Sequence, residues 1–378
     1  MNKALKRLLQ DGTPSHENID AFIAKSTFPL VSGNDITFIY RGEAEEVLLR
    51  SWISGLNTAQ SLERLSKTDF WSLTIELPAG SRIEYKLEVV ANGQRNLILD
   101  PLNEVTARDP FGANSVCQGE GYTRPTWTLP DAEAPHGSYH TVDIDSQAFG
   151  ESRKVEIYLP ARFRKNRRYP LLIVQDGLDY LQFAALGTVL DNLIHNLEIP
   201  QMIVALTQSP NRLVEYGADD RHAKFIVEEM LPSLNETFPL IDEPSARGIM
   251  GASFGAVATL HTAWRFQGVF GSLLLQSGSF AFSDLGQHQR GPVFDPVALF
   301  MNDFRETPGK PAEKMYLSCG IYESLIYENR SLVPLLQMQK IDVRFEEARD
   351  AHNWENWRDR LQNGLSWLFP GPVWMVYE

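Results

Sequence analysis

The pentapeptide Gly251-Ala252-Ser253-Phe254-Gly255 sets a serine between small residues. A serine hydroxyl attacks a carbonyl carbon only when a base takes its proton and amide donors hold the oxyanion that forms. The G-x-S-x-G pattern serves that chemistry when it turns sharply from a strand into a helix, so that the serine stands at the end of a sheet. At ordinary glycine and serine frequencies a chain of 378 residues carries such a pentapeptide by chance about one time in eight, so its flanks must decide. Residues 247–250 read as a strand and residues 254–265 as a helix. Gly251, Ala252, Gly255 and Ala256 leave room for the turn to close. Ser253 is therefore expected to be a nucleophile for acyl transfer.

In this kind of fold the acid and the histidine follow the serine along the chain. Of eight histidines, His261, His288 and His352 lie after Ser253. His261 falls two turns into the following helix and reads as packing, and His288 sits in a polar loop that could at most line a pocket. His352 stands between an apolar-alternating strand at 343–347 and the last helix, where the base belongs. For the acid, parallel strands present their carboxyl ends at one edge. Glu323 follows the strand 314–318 after a short loop. Asp342 precedes a strand and lies at the opposite edge, and Glu328 falls inside the next helix. Glu323 is expected to hold the imidazole tautomer, with Asp350 as the fallback acid. The oxyanion is expected to meet the amides of Phe254 and Leu178. Leu178 lies in the loop after the strand 170–175, where Gly177 permits the turn and Asp176 is placed to orient it.

Those residues need a frame. Residues 1–25 read as a short amphipathic helix and a connecting segment. Strands follow at 36–40, 47–52, 71–77 and 85–90, with turns at Pro78-Ala79-Gly80 and Asn92-Gly93. Residues 100–137, rich in Pro, Gly and polar side chains, read as a linker. From 138 onward strands at 153–159, 170–175, 202–206, 248–250, 271–276, 314–318 and 343–347 alternate with helices at 180–196, 218–234, from 254, and 354–368. That alternation implies a mostly parallel sheet with helices on both faces. The expected organisation is a helix and connecting segment over 1–30, a small immunoglobulin-like β-sandwich over 31–130, and an α/β-hydrolase catalytic domain over 131–378.

A formal net charge of −13 argues against a nucleic-acid partner. No apolar run follows the basic first ten residues, and no stretch approaches a membrane span, so a cytoplasmic protein with no membrane partner is expected. Cys117 and Cys319 fall on opposite sides of the expected boundary, which does not suggest a disulfide framework. No H-E-x-x-H and no phosphate-binding glycine loop is present, so neither a metal nor a cofactor is expected.

Several segments together resemble the esterase D-like branch of the α/β-hydrolases, and the whole chain resembles the enterochelin esterases. They are Leu172-Ile173-Val174-Gln175-Asp176-Gly177, Glu228-Glu229-Met230-Leu231-Pro232, the serine pentapeptide, Leu275-Gln276-Ser277-Gly278-Ser279, and His352-Asn353-Trp354-Glu355-Asn356-Trp357. The resemblance covers roughly residues 138–370, with a less distinctive match at Trp71 and Asp100-Pro101-Leu102-Asn103. It implies a serine carboxylic-ester hydrolase with Ser253 and His352 as catalytic pair. It also implies Glu323 as the acid after the Cys319-Gly320 pair. The expected substrate is a small-molecule ester, the tri-serine lactone of a ferric catecholate siderophore, with Arg212 and Glu215 matching a substrate-lining pair. The chain departs from the family at Ala256 and at Asp350-Ala351, where glycines are usual. A feruloyl or acetyl carbohydrate esterase, a mycolyltransferase-like acyltransferase and a non-catalytic glycan-binding protein are the alternatives. Oligomeric state is not legible in the chain.

Overall fold

A computed structural model describes residues 3–10, 12–283 and 290–372; His288 lies outside the described residues. Eight strands form the sheet that carries the serine: β1 (Ser138–Ser146), β2 (Glu151–Leu159), β3 (Leu171–Val174), β4 (Ile203–Thr207), β5 (Arg247–Ala252), β6 (Ser272–Gln276), β7 (Lys314–Gly320) and β8 (Asp342–Ala348). Their spatial order is β1-β2-β4-β3-β5-β6-β7-β8. The β1–β2 and β2–β4 pairs are antiparallel, and the pairs from β4 through β7 are parallel. Every residue of β3, β4 and β6 is buried, as expected for strands covered on both faces. Their alternation feeds two cores. Ile173, Ile249, Leu273 and Leu275 pack with Val257, Leu260 and Phe300 on one face. Leu172, Val174, Met250 and Leu274 pack with Leu190, Leu361 and Leu365 on the other.

Several sequence expectations change. The helix predicted over 180–196 is two helices, Gly177–Phe183 and Leu186–His195, because Ala185 between them takes a φ of 49°. The helix predicted over 218–234 is Asp220–Lys224, a wide π turn at Phe225–Met230, and Leu231–Thr237. Pro232 supplies the reason: a proline has no N–H and its ring collides with the carbonyl four residues back, and the wide turn accommodates both. Residues 106–118 are not linker but two strands, Thr106–Asp109 and Gly112–Gln118. The second is buried on both faces from Asn114 to Cys117, with Asn114 and Ser115 among the buried residues, so no apolar alternation marks it.

By its contacts the chain divides into two units. One holds residues 1–124 with the short segments Gly320–Ser324 and Ala348–Asn353; the other holds the rest. The first unit has helices Lys3–Leu9 and His16–Ala24 and two antiparallel sheets. One sheet centres on Asp35–Arg41 paired with Phe70–Glu76, the other on Arg82–Ala91 between Glu46–Ser51 and Gly112–Gln118. Ile36 and Phe38 of one sheet share a single apolar cluster with Val47, Leu49, Ile83 and Tyr85 of the other. Asn92 and Gly93, with φ of 53° and 70°, turn Arg82–Ala91 back into Gln94–Ile98, as the Asn-Gly pair predicts. No helix among the described residues is long and apolar enough to cross a membrane. Cys117 and Cys319 are both buried and not joined in a disulfide.

His261 packs edge-on against Phe300, with ring centroids 5.0 Å apart, and burial lowers its pKa to about 4. His222 is also buried, 3.1 Å from Gln175 Oε1, and burial lowers its pKa to about 3. In the unfolded chain both titrate near 6.5, so on acidification the unfolded state takes up protons first. Their contribution to stability is present above about pH 6.5 and is lost as pH falls toward 4. Thermal unfolding between pH 7 and 4.5 is expected to show a falling Tm, and His261→Gln is expected to flatten that fall. Equal slopes for the two proteins would refute this account.

Candidate active site

β5 delivers Ser253 at φ 57° and ψ −122°, a conformation that L residues adopt only under constraint. The Ser253 N–H donates to the Gln276 carbonyl at 2.9 Å, adding a bond at the end of the β5–β6 ladder. The Ser253 carbonyl accepts from the amides of Ala256, Val257 and Ser279 at 3.1, 3.3 and 3.2 Å. A Cβ at Gly251 would lie 2.4 Å from the Gly255 carbonyl oxygen, so only glycine fits there. A Cβ at Gly255 would lie 3.3 Å from both Asp176 Oδ2 and Gln175 Cβ, which leaves little space for one. The helix Phe254–Arg265 is buried from Phe254 through Ala263, including His261. Ser253 Oγ stands 3.2 Å from Ser279 Oγ.

At the end of β3, Asp176 takes a left-handed φ of 53° and opens the helix Gly177–Phe183. Gly177 is required because a Cβ would lie 2.6 Å from Leu206 Cα. Leu178 and Phe254 each lie in the first turn of a helix, where amides have no acceptor within the helix. The Asp176 carboxylate is buried and accepts Arg212 Nε at 2.9 and 2.8 Å. Arg212 Nη2 also donates to the Ala252 carbonyl at 3.3 Å, so one guanidinium braces the β3 turn against the residue preceding Ser253. Burial raises the Asp176 pKa to about 6, with Arg212 opposing the shift. Glu215, one turn after Arg212, is buried and accepts from Arg153 at 3.1 and 2.9 Å and from Ser209 Oγ at 2.7 Å. Arg212 is 31% exposed, whereas the Glu215 carboxylate is already occupied.

Glu323 follows β7 and His352 follows β8, both on segments that pack with the first unit. His352 Nδ1 lies 2.7 Å from Glu323 Oε2. The other carboxylate oxygen, Oε1, accepts the Gly320 N–H at 2.8 Å. The Glu323 side chain is 1% exposed and that of His352 is 38% exposed. A Cβ at Gly320 would lie 2.3 Å from the Asp350 carbonyl oxygen and 2.8 Å from Glu323 Oε1, which explains a glycine at that position. Asp350 does not meet the imidazole with its carboxylate. Its Oδ1 accepts from the Ala351 N–H and Asn353 Nδ2, each at 2.7 Å, and its Oδ2 lies 3.3 Å from Arg82 Nη1. Burial raises the Asp350 pKa to about 6, against the pull of Arg82.

The residue-by-residue reading missed two supports. Gln276, wholly buried at the end of β6, accepts from Tyr180 Oη at 2.8 Å and donates to the Trp357 carbonyl at 2.9 Å. Trp357 Nε1 in turn donates to Ser277 Oγ at 2.9 Å. Trp354 packs edge-on to Tyr180 with centroids 5.2 Å apart, so the last helix, Trp354–Leu368, is fixed to the helix that carries Leu178. A glutamine closing an apolar strand was the available signal. Arg82 is the second support, and nothing in its strand context singled it out.

The family model described as "Putative esterase" matches residues 146–368. The Iron(III) enterobactin esterase of Escherichia coli O6:H1 (strain CFT073) is 24% identical over 372 residues, covering 88% of this chain and 90% of that protein. The enterobactin esterase of Shigella flexneri, crystallised in the presence of enterobactin, superposes with a TM-score of 0.75 at 21% identity, over 92% of this chain and 97% of that one. A ferulic acid esterase from the anaerobic fungus Anaeromyces mucronatus reaches a TM-score of 0.52 at 15% identity, covering 64% of this chain and 94% of its own. This chain thus belongs to the "Putative esterase" family, is similar along most of its length to enterobactin esterases, and is a carboxylic-ester hydrolase.

Proposed function

We propose that this protein hydrolyses a catecholate siderophore ester of the enterobactin type through Ser253, His352 and Glu323. The observation that carries the mechanism is the 2.7 Å contact of His352 Nδ1 with Glu323 Oε2, found in a chain whose Ser253 stands on a strained turn. With Nδ1 bonded to a buried carboxylate, proton exchange falls to Nε2. His352 takes the Ser253 hydroxyl proton as Oγ attacks the ester carbonyl. The amides of Phe254 and Leu178 hold the tetrahedral oxyanion, and Glu323 stabilises the imidazolium. The alcohol leaves with the proton from His352, and water then hydrolyses the acyl-enzyme by the same route in reverse. Arg212, partly exposed beside the serine turn, contacts the anionic substrate, while Glu215, fixed by Arg153, holds the short helix that carries it. The first unit's double sheet is read as an immunoglobulin-like sandwich, and the protein works in the cytoplasm.

What favours a siderophore ester over a feruloyl or acetyl carbohydrate ester is the extent of the likeness. It takes in 92% of this chain for the enterobactin esterase and 64% for the ferulic acid esterase. Purified protein is expected to cleave enterobactin, free or as its ferric complex, with a kcat/KM well above that for methyl ferulate. Ser253→Ala is expected to lose activity by about 10⁴-fold or more, and intact-protein mass spectrometry should capture an acyl adduct on wild type but not on the variant. Enterobactin cleavage that survives Ser253→Ala would sink the mechanism, and faster turnover of methyl ferulate would favour the carbohydrate-esterase reading.

Glu323→Gln keeps the size of the acid but removes its charge. It is expected to lower kcat by about 10³–10⁴-fold with KM little changed, because the imidazolium loses its counter-charge and the tautomer its anchor. Asp350→Asn is expected to cost much less. The reverse ranking would make Asp350 the acid.

A further inference from the structure

The segments carrying Glu323 and His352 are stitched into the first unit by a charged cluster that takes no part in ester chemistry. At its centre is Arg82, the first residue of the strand Arg82–Ala91 and only 1% exposed. Its backbone N–H donates to the Arg349 carbonyl at 2.9 Å. Its Nη1 reaches Asn353 Oδ1 at 3.0 Å and Asp350 Oδ2 at 3.3 Å, so the guanidinium grips the chain on both sides of His352. Its Nη2 donates to Glu84 Oε1 at 2.9 Å, and Asn114 Nδ2 holds the other Glu84 oxygen at 2.8 Å. The Glu323 segment has its own anchors: Tyr322 Oη lies 2.5 Å from Ser81 Oγ, and the Tyr322 carbonyl accepts the Ser54 N–H at 2.7 Å. Between the segments, the Tyr322 N–H donates to the Asp350 carbonyl at 3.2 Å and the Ile321 N–H to the Ala348 carbonyl at 2.8 Å.

A guanidinium buried with two carboxylates is a poor way to gain stability, since removing three charges from water costs about as much as their attraction returns. What such a cluster does supply is direction. The planar fork of arginine fixes the orientation of each group it bonds, which a lysine point charge does not. We propose that Arg82 is a positioning residue for the histidine: through Asp350 and Asn353 it fixes the loop on which His352 meets Glu323, without touching substrate. The positioning of His352 then lies wholly within the first unit. This rests on the triad proposed above.

The test compares Arg82→Lys, Arg82→Met, Asp350→Asn and the double variant Arg82→Met/Asp350→Asn, each first checked for cooperative unfolding. Arg82→Met is expected to lower kcat for enterobactin by about 100-fold with KM changed less than about threefold, the cost of a small misplacement of a catalytic group. Arg82→Lys, which keeps charge without the fork, is expected to lose about tenfold. Removing the stranded carboxylate in the double variant should restore at least about tenfold over Arg82→Met, a rescue that general destabilisation would not give. Proton NMR supplies a readout that needs no ester turnover. The far-downfield Nδ1–H resonance of the His352–Glu323 bond should be present in wild type and in Ser253→Ala, and absent or shifted in the Arg82 variants. Folded Arg82→Lys and Arg82→Met with near-wild-type kcat, a loss carried by KM, or an unmoved resonance would each overturn the proposal. Should Arg82→Met not fold, Arg82→Lys decides alone. Should wild type cleave no ester, the triad reading fails while the resonance still judges the clamp.

Discussion

The backbone of Ser253 is the constraint to which its surroundings answer. A φ of 57° with ψ near −122° costs a side-chain-bearing residue on the order of 1–3 kcal/mol, and it persists only where the neighbours leave no alternative. Here they leave none. The serine amide bonds to the Gln276 carbonyl across from β6, so relaxing the turn would break that bond. Its carbonyl bonds forward into the first turn of the following helix and across to Ser279. That helix is buried along most of its length and cannot shift to ease the strain. Gly251 is where the turn closes most tightly on itself, against Gly255, and an added methyl there would have to displace backbone.

Within each unit the protein buries carboxylates and answers each with a guanidinium: Asp176 with Arg212, Glu215 with Arg153, and Asp350 with Arg82. In Asp176 and Asp350 burial outweighs the partner, and each pKa rises to about 6. These are places where the chain carries charge at a cost, and an apolar core of the same volume would hold at least as well. What they share is position. Asp176 lies two residues past β3, and Asp350 lies two residues past β8 and two before the histidine. These two carboxylates thus stand in loops just past strand ends, where loops need orientation that apolar packing cannot give, because apolar packing fixes volume better than it fixes direction.

Much of this was legible in the chain because its signals are local. The serine pentapeptide, the apolar runs at 171–174 and 203–206, the Asn92-Gly93 turn and the last helix are each written in a few neighbouring residues. The break at Ala185 was not legible, since an alanine gives no warning of a left-handed backbone. The strands at 106–109 and 112–118 were hidden because their buried side chains include Asn114 and Ser115, which hydrogen-bond instead of packing. β1 was hidden for the opposite reason: it is exposed along most of its length and never needed apolar alternation. Of the candidate site, the residue types and chain order could be read, but not the division of labour between neighbouring charges. Arg212 and Glu215 sit on one short helix and look like a pair, yet each bonds to a different partner.

The same division separates Glu323 from Asp350, and its cause is the reach of a side chain. A short carboxylate near a bend is readily claimed by the backbone and side chains just ahead of it. Asp350 is held in that way by the Ala351 amide and the Asn353 side chain before Arg82 closes over it. Two residues from the histidine in sequence, its carboxylate is taken up within its own loop and by Arg82. Glu323 comes from another strand and is one methylene longer. It meets Nδ1 while its second oxygen stays on the Gly320 amide. A partner supplied from a separate strand has a consequence that a local one lacks. The Nδ1 contact is made only when two loops, each closing a different part of the chain, are both in place. Any element that holds those loops together then holds the histidine as well.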